Sequence, residues 1–505
     1  MKKLIFALVF TGLLAGSTAN PIVTADTLRI DDKLVLWLLV PGYEAGYEYG
    51  RFLGEPIAEI MENYVINQTF GGAYGYQAAR QIFDEHFVYD PKYEQIAQGM
   101  LDGMAQNGVS IYSPTLGEDL NFKDVLIANS IPDFTAFSDF NIRGPGCSDL
   151  MSWGESTMNS ELAGELVISR NLDWTNDQLL IENALIIIWG AGEGQRLITF
   201  GFTGMIGALS GFNESGIATF QNMGNHYMPP TGTGFYPVNL AQRNGLESWD
   251  YNQDGICSPR DVTDAVRANN VASSYIINTA GPNSSEYPAE ILEIHNKIGE
   301  EIRTLEDNFY ELGTNIASTN HFRKLMPAVY CYRYNRFVDS LEHSAQMSIT
   351  RNWSVLQAGG VFTNLQTIQF VPAHNLLRFS FAEVGTPAYQ IEPTEVLVDT
   401  LFSLVNINEK EVTRKKYVEI NPNPGKGRAD IHMAIPENGT VSCTIFDPTG
   451  KQVFEQTKHA FIGQNITIGW GSRKSIPGIY ICHVILWDNQ QRRVFSETQK
   501  IVVTK

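Results

Sequence analysis

Pro145-Gly146-Cys147, followed on the next extended segment by Arg170-Asn171-Leu172-Asp173-Trp174, is the stretch whose reading decides the fold. A lone internal cysteine behind Pro-Gly suggests a backbone break that makes Cys147 a new N-terminus. One residue then supplies two chemical groups, a thiol nucleophile and a freed α-amine within reach of it. An α-amine titrates near ~8 and a thiol near ~8.5, so modest help from the amine yields thiolate near neutral pH. Arg170 and Asp173 are placed to orient and charge-balance that centre.

Working outward, residues 34–40 read as a buried strand, and Gly42, Gly46 and Gly50 lead into a helix through Ile57, Ile60 and Met61. Residues 165–169, 185–189, 197–202 and 217–220 are short β-branched or aromatic runs broken by glycines, with a turn at 211–216. Residues 291–309 carry Ile291, Ile294, Ile298, Ile302, Leu305 and Phe309 at steps of three and four, which predicts one helix face. Extended patterns return at 364–370 and 376–382. Strands, helices and strands in that order predict an α+β protein with stacked sheets flanked by helices.

Together these motifs resemble the N-terminal-nucleophile hydrolases of the penicillin acyltransferase, bile-salt hydrolase and acid-ceramidase group. In that group the mature chain opens with Cys, and Arg-Asn-Leu-Asp-Trp or Arg-Asn-Leu-Asp-Phe lies on its second strand. The resemblance implies an αββα sandwich. The interval from Cys147 to Arg170 is several residues longer than in the group, which implies an insertion in the hairpin. Thr319-Asn320-His321-Phe322 is similar to the group's Asn-His-Phe element, which implies that Asn320 donates to the oxyanion of acyl transfer; His321 reads as structural. Asn222 resembles a second active-site asparagine, one residue out of register. Arg333 and Arg336 both fall where the group carries a late active-site arginine, with Arg333 preferred. The implied catalytic set is Cys147, Arg170, Asp173, Asn320, Asn222 and Arg333, with no cofactor for catalysis.

A third element is a calcium-type loop. Asp250, Asn252 and Asp254 occupy ligand positions, Gly255 the sharp turn, Ile256 the backbone-carbonyl position and Asp261 the closing carboxylate. Asp at the last position resembles dockerin repeats, but a single loop argues for a structural calcium that staples an insertion over 247–270. The expected metal ligands are Asp250, Asn252, Asp254, Ile256 and Asp261.

Composition narrows the rest. The 505 residues carry a net charge of −19, which disfavours nucleic acid as a partner. Lys2 and Lys3 followed by an apolar 4–14 read as a signal peptide over 1–19, or 1–25 by the second small-residue site, and no later run is long enough to span a membrane. Five cysteines leave at least one free thiol in an exported chain, with Cys443 and Cys482 placed to pair. The pattern lacks GxSxG, HExxH and P-loop motifs and zinc-type Cys/His spacing.

The expected hydrolase domain covers 26–400, as a 26–146 segment and a 147–400 catalytic chain. Beyond a charged linker at 410–416, residues 412–505 read as a small immunoglobulin-like all-β sandwich. This part resembles the C-terminal sorting domain of type IX secretion, which implies that secretion machinery as partner and a secreted or cell-surface location. The expected activity is hydrolysis of non-peptidic N-acyl amides of small molecules through a thioester. An acyltransferase or phospholipase-B-like acyl hydrolase is the alternative on the same site, and an inactive surface binding module the alternative of another class.

Overall fold

The computed structural model describes residues 24–505 except 138–139, 141, 143–145, 191, 193, 227, 282–287, 403–417, 424, 427, 436–437, 447–450, 472–477, 489–492 and 505. The expected signal peptide lies outside the described residues apart from Thr24 and Ala25, and so does the linker at 410–416. The chain forms two compact units, Met1–Asn408 and Glu409–Lys505.

The first unit opens with a hairpin of β1 (Ala25–Ile30) and β2 (Lys33–Leu38). A helical block follows: α1 (Gly42–Glu59), α2 (Ala73–His86), α3 (Pro91–Gln106), the two-residue strands β3 (Tyr112–Ser113) and β4 (Glu118–Asp119), α4 (Phe122–Asn129) and α5 (Ile131–Phe134). The glycines of α1 are interface residues. A Cβ on Gly46 or Gly50 would collide with the carbonyl oxygens of Ile96 and Met100, and one on Gly99 or Gly103 of α3 with those of Tyr43 and Tyr47. Four missing side chains thus let two helix backbones touch.

Next come β5 (Gly146–Ser152), β6 (Val167–Asp173), α6 (Gln178–Glu182), β7 (Ala184–Trp189), β8 (Leu197–Phe202), β9 (Ser210–Asn213), β10 (Ala218–Met223), α7 (Val238–Glu247), α8 (Pro259–Arg267), β11 (Ser274–Ala280), β12 (Ala289–His295) and β13 (Gly299–Arg303). The unit closes with β14 (Asn315–Ser318), α9 (Tyr332–His343), α10 (Ile349–Ala358), β15 (Asn364–Val371), β16 (Leu376–Phe381) and β17 (Thr394–Leu397). One sheet has nine strands in the order β1-β2-β7-β8-β9-β10-β11-β12-β13, and a second has six in the order β14-β5-β6-β15-β16-β17.

The two sheets share one apolar layer, in which Ile186, Phe200, Phe212 and Phe220 of the first meet Met151, Ile168, Phe370 and Phe379 of the second. The Phe212 and Phe370 rings stack at 4.1 Å. Tyr49, Leu53 and Tyr93 of α1 and α3 cluster with Leu36, Leu185 and Ile187 of the larger sheet. Tyr334, Phe337 and Leu356 of α9 and α10 cover Leu150 and Ala317 of the smaller one. The order through the unit is helices, sheet, sheet, helices, a mixed α and β architecture.

The predicted helix over 291–309 is corrected: β12 and β13 form an antiparallel hairpin there, with His295 paired to Gly299. Ile291 faces the layer between the sheets while Leu292 and Ile294 face the helices. A strand buried on both faces loses the polar alternation that marks a half-exposed one, and its isoleucines then mimic a helical stripe. Gly299, at φ +114°, makes the turn.

In the second unit, β18 (Val418–Asn421), β19 (Arg428–Ala434) and β22 (Asn465–Gly471) form one sheet. The strands β20 (Gly439–Phe446), β21 (Gln452–Ala460), β23 (Gly478–Asp488) and β24 (Arg493–Val503) form another. Alternate residues of both, such as Ile431, Ile468, Val441 and Val484, make one core. Cys443 and Cys482 lie on neighbouring strands, each a free thiol, with sulfurs 3.8 Å apart.

Candidate active site

Strand pairing assembles the site. β5 and β6 run antiparallel with Gly146 opposite Asp173, Cys147 opposite Leu172 and Asp149 opposite Arg170. Side chains alternate along a strand, so Cys147 and Asp149 share the face that looks at β10. Met151, next on that face, sits in the layer between the sheets.

Three side chains meet Cys147, one at each of its polar groups. Asn320 Oδ1 accepts from its backbone N at 2.9 Å. Arg333 Nη1 donates to its carbonyl O at 2.7 Å. Arg170 Nη2 donates to its Sγ at 3.0 Å. The sulfur also lies 3.6 Å from the Gln221 carbonyl.

Arg170 is fully buried, yet its guanidinium is well supplied with acceptors. Nη1 donates to Leu209 O and Ser210 Oγ at 2.7 Å each, and Nη2 also donates to Gln221 O at 2.9 Å. Neutral carbonyls and a hydroxyl accept its hydrogen bonds, and its charge acts on the sulfur and on the nearby carboxylates Asp149 and Asp173. Burial pushes the Cys147 thiol up to about 11, with Arg170 opposing that rise and Asp149 and Asp173 adding to it. In the uncut chain the nucleophile is therefore a thiol at neutral pH.

Asp173 ends β6 against α9, where its Oδ2 accepts from Arg333 Nη1 at 2.8 Å and its Oδ1 from Asn364 Nδ2 at 3.1 Å. Burial raises its pKa and the Arg333 charge pulls it back. Arg333 also donates to Asn320 Oδ1. Arg336 instead lies at the surface on the Tyr332 hydroxyl, so only Arg333 of that pair reaches the cysteine.

The two asparagines are oriented by their neighbours. Both the Cys147 N–H and Arg333 are donors, which fixes the carbonyl end of Asn320 toward them; its Nδ2 donates to Met223 O at 2.8 Å. Asn222 lies on β10 and its Nδ2 donates to Asp149 Oδ2, to Ser318 Oγ at 2.8 Å and to Thr319 O at 3.3 Å. Asp149 is thus a buried carboxylate of the site that the sequence reading missed. Its position two residues after Cys147 on one strand was the signal available. His321 contacts Asn225 at 3.3 Å.

An apolar cavity of about 70 Å³ adjoins this centre, lined by Ile57, Met61, Tyr64, Trp174, Phe202 and Leu209. Trp174 follows Asp173 directly, and Leu209 is the residue whose carbonyl holds Arg170.

The expected calcium loop folds on its own hydrogen bonds. Asp250 accepts from the amides of Asp254 and Gly255, and Asp254 from that of Ile256. Asp261 accepts from the amides of Tyr251, Asn252 and Ser258 and forms the capping box of α8. Among the described residues no three His, Cys, Asp or Glu side chains converge as metal ligands, these included. The support for calcium here is the oxygen-ligand spacing of Asp250, Asn252, Asp254, Ile256 and Asp261, and no step of the chemistry passes through it.

No protein-family model and no curated protein matches the chain. Among solved structures it is similar to a Caenorhabditis elegans N-acylethanolamine-hydrolyzing acid amidase ortholog, at 16% identity over 45% of this chain and 93% of that one, with a TM-score of 0.34. It is also similar to a mutant of conjugated bile acid hydrolase from Clostridium perfringens, at 11% identity over 50% of this chain and 93% of that one, with a TM-score of 0.31. Likenesses of this size carry no weight for function.

Proposed function

We infer that the protein is a cysteine amidohydrolase of small-molecule N-acyl amides, activated by a break between Gly146 and Cys147. One observation carries this reading: Asn320, Arg333 and Arg170 engage the nitrogen, the carbonyl and the sulfur of the same residue. A structural cysteine needs no such set. A residue that must become a chain terminus and a nucleophile needs all three groups held.

In the cut chain the Cys147 nitrogen is an amine, with Asn320 Oδ1 its fixed acceptor. The amine takes the thiol proton as the sulfur attacks the substrate carbonyl, and returns it to the leaving amine as the tetrahedral intermediate collapses. Water then hydrolyses the thioester. Asn320 Nδ2 is the proposed oxyanion donor, exchanging its bond to Met223 O for one to the intermediate. The Asn222 amide, engaged by Asp149, is not assigned to the oxyanion. Arg170 favours the thiolate and Arg333 holds the Cys147 carbonyl. The adjoining apolar cavity suits a hydrophobic acyl group.

Export through an N-terminal signal peptide, with 412–505 as a type IX sorting domain, completes the proposal and rests on the sequence resemblance. Among the described residues no helix is long and apolar enough to cross a membrane.

The test is intact mass and N-terminal sequencing of the purified protein beside Cys147→Ala, followed by an amide-substrate screen. A chain beginning at Cys147 in the wild type alone, with amide turnover, is the expected result. A single uncut chain in both proteins refutes the reading and favours a binding module.

A further inference from the structure

The amine that serves as base in turnover does not exist before the chain is cut. Its nitrogen is then a peptide N–H, donating to Asn320. The thiol must lose a proton to attack Gly146, yet its contacts are a cation, Arg170, and a carbonyl, Gln221 O. Neither accepts a proton at neutral pH.

Two carboxylates lie close enough to act on the sulfur electrostatically, Asp149 and Asp173. Asp173 is occupied on both oxygens, by Arg333 and by Asn364. Asp149 is different. It is fully buried and shares the strand face of Cys147, two residues or about 6.7 Å of backbone rise along the strand. Asn222 and Ser318 hold its Oδ2, the latter at 3.2 Å. Its Oδ1 has no hydrogen-bond partner among the described residues, nor does the facing Arg170 Nε. A buried carboxylate with one oxygen anchored and the other open is poised to receive a proton.

We propose that Asp149 is the proton acceptor for the Cys147 thiol in the uncut chain and so drives the chain's own backbone break, a role that rests on the amidohydrolase reading above. The proton leaves the thiol for Asp149 through a bridging water as the sulfur bonds to the Gly146 carbonyl carbon. Protonated Asp149 returns the proton to the Cys147 nitrogen as the C–N bond breaks, which gives a free α-amine and a Gly146 thioester. One water hydrolyses the thioester, releasing the Gly146 carboxylate and restoring the thiol. The base of maturation and the base of turnover are then different groups.

Asp149 has the ionisation this needs. Burial pushes its carboxyl up to about 6, and Arg170 opposes the rise. The charged or titratable groups around it are Arg170 and Asp173 on β6 and Cys147 on β5; β10 and β14 contribute the neutral Asn222 and Ser318.

The experiment follows cleavage of full-length chain made by cell-free synthesis, at pH 4.5 to 8, for wild type, Asp149→Asn, Asp149→Glu and Cys147→Ala. Circular dichroism tests each variant for folding. The wild-type rate is expected to rise about tenfold per pH unit below about 6 and to level above it. Asp149→Asn is expected to cut at least about a hundredfold more slowly, and Asp149→Glu to recover part of that loss. A folded Asp149→Asn that cuts within threefold of wild type overturns the proposal. If that variant does not fold, a wild-type profile flat from pH 5 to 7 overturns it equally. A wild type that is never cut refutes the amidohydrolase reading itself, a result distinct from either of those.

Discussion

Removing Arg333 tests how the site manages buried charge. In Arg333→Met, Asp173 keeps only Asn364 as a side-chain partner and becomes an unpaired buried carboxylate. Breaking a buried ion pair from one side costs roughly 3–5 kcal/mol. With about 2.1 cal/mol/K of unfolding entropy per residue, the 408-residue unit has about 0.86 kcal/mol/K, so the expected fall in Tm is about 4–6 °C at pH 7.5. The sign with pH follows from the direction of the shift. Burial already raises the Asp173 pKa and Arg333 opposes it, so the variant's pKa rises further. An acid with a raised folded pKa stabilises fully below its unfolded value and loses that stability as pH rises through the folded one. The deficit of Arg333→Met is therefore largest near pH 7.5 and shrinks toward pH 5. Adding Asp173→Asn removes the charge, recovers part of the Tm and flattens the pH dependence. The assay is thermal unfolding in a Cys147→Ala background, so that no cleavage intervenes. A shift under about 1 °C at pH 7.5, or a deficit that grows on acidification, refutes this account.

Other outcomes follow from particular contacts. Gly50→Ala forces a Cβ into Met100 O, and is expected to destabilise the first unit by about 1–3 kcal/mol, read as a lower Tm; an unchanged Tm would show that α1 and α3 separate freely. Asp133, bonded to the Tyr275 hydroxyl at 2.6 Å, is raised by burial to about 7, so its stabilisation is present at low pH and lost as pH rises through about 7. Asp133→Asn should remove that part of the decline in Tm between pH 6 and 8, and an identical decline in the variant would exclude Asp133 as its source. Calcium at the 250–261 loop is expected to raise Tm by a few degrees over EGTA, an effect abolished by Asp250→Ala; equal melting in both buffers would leave the loop a hydrogen-bonded turn.

Much of the smaller sheet and of the centre was legible because its signals are local. Residues 364–370 and 376–382 read as strands from their own composition, and β15 and β16 occupy them. The glycines at 46 and 50 were legible as a pattern but not as a function. Their purpose is backbone contact with α3, about fifty residues away in sequence. The hairpin at 289–303 was misread because both faces of its first strand, β12, are covered, and burial on two sides erases the periodicity that separates strand from helix.

What the sequence determined by itself was the chemistry on offer: a cysteine behind Pro-Gly, an arginine and an aspartate three residues apart, and an asparagine and an arginine downstream. Those residues sit on β5, β6, the loop after β14 and α9. Only the tertiary structure decided how they meet. Strand register put Asp149 opposite Arg170, a non-local pairing that no local pattern encodes. The donors around Asn320 turned its carbonyl toward the Cys147 nitrogen, and Asp149 engaged the Asn222 amide. The orientation of an amide depends on which donors and acceptors surround it, and those come from strands and helices far apart in the chain.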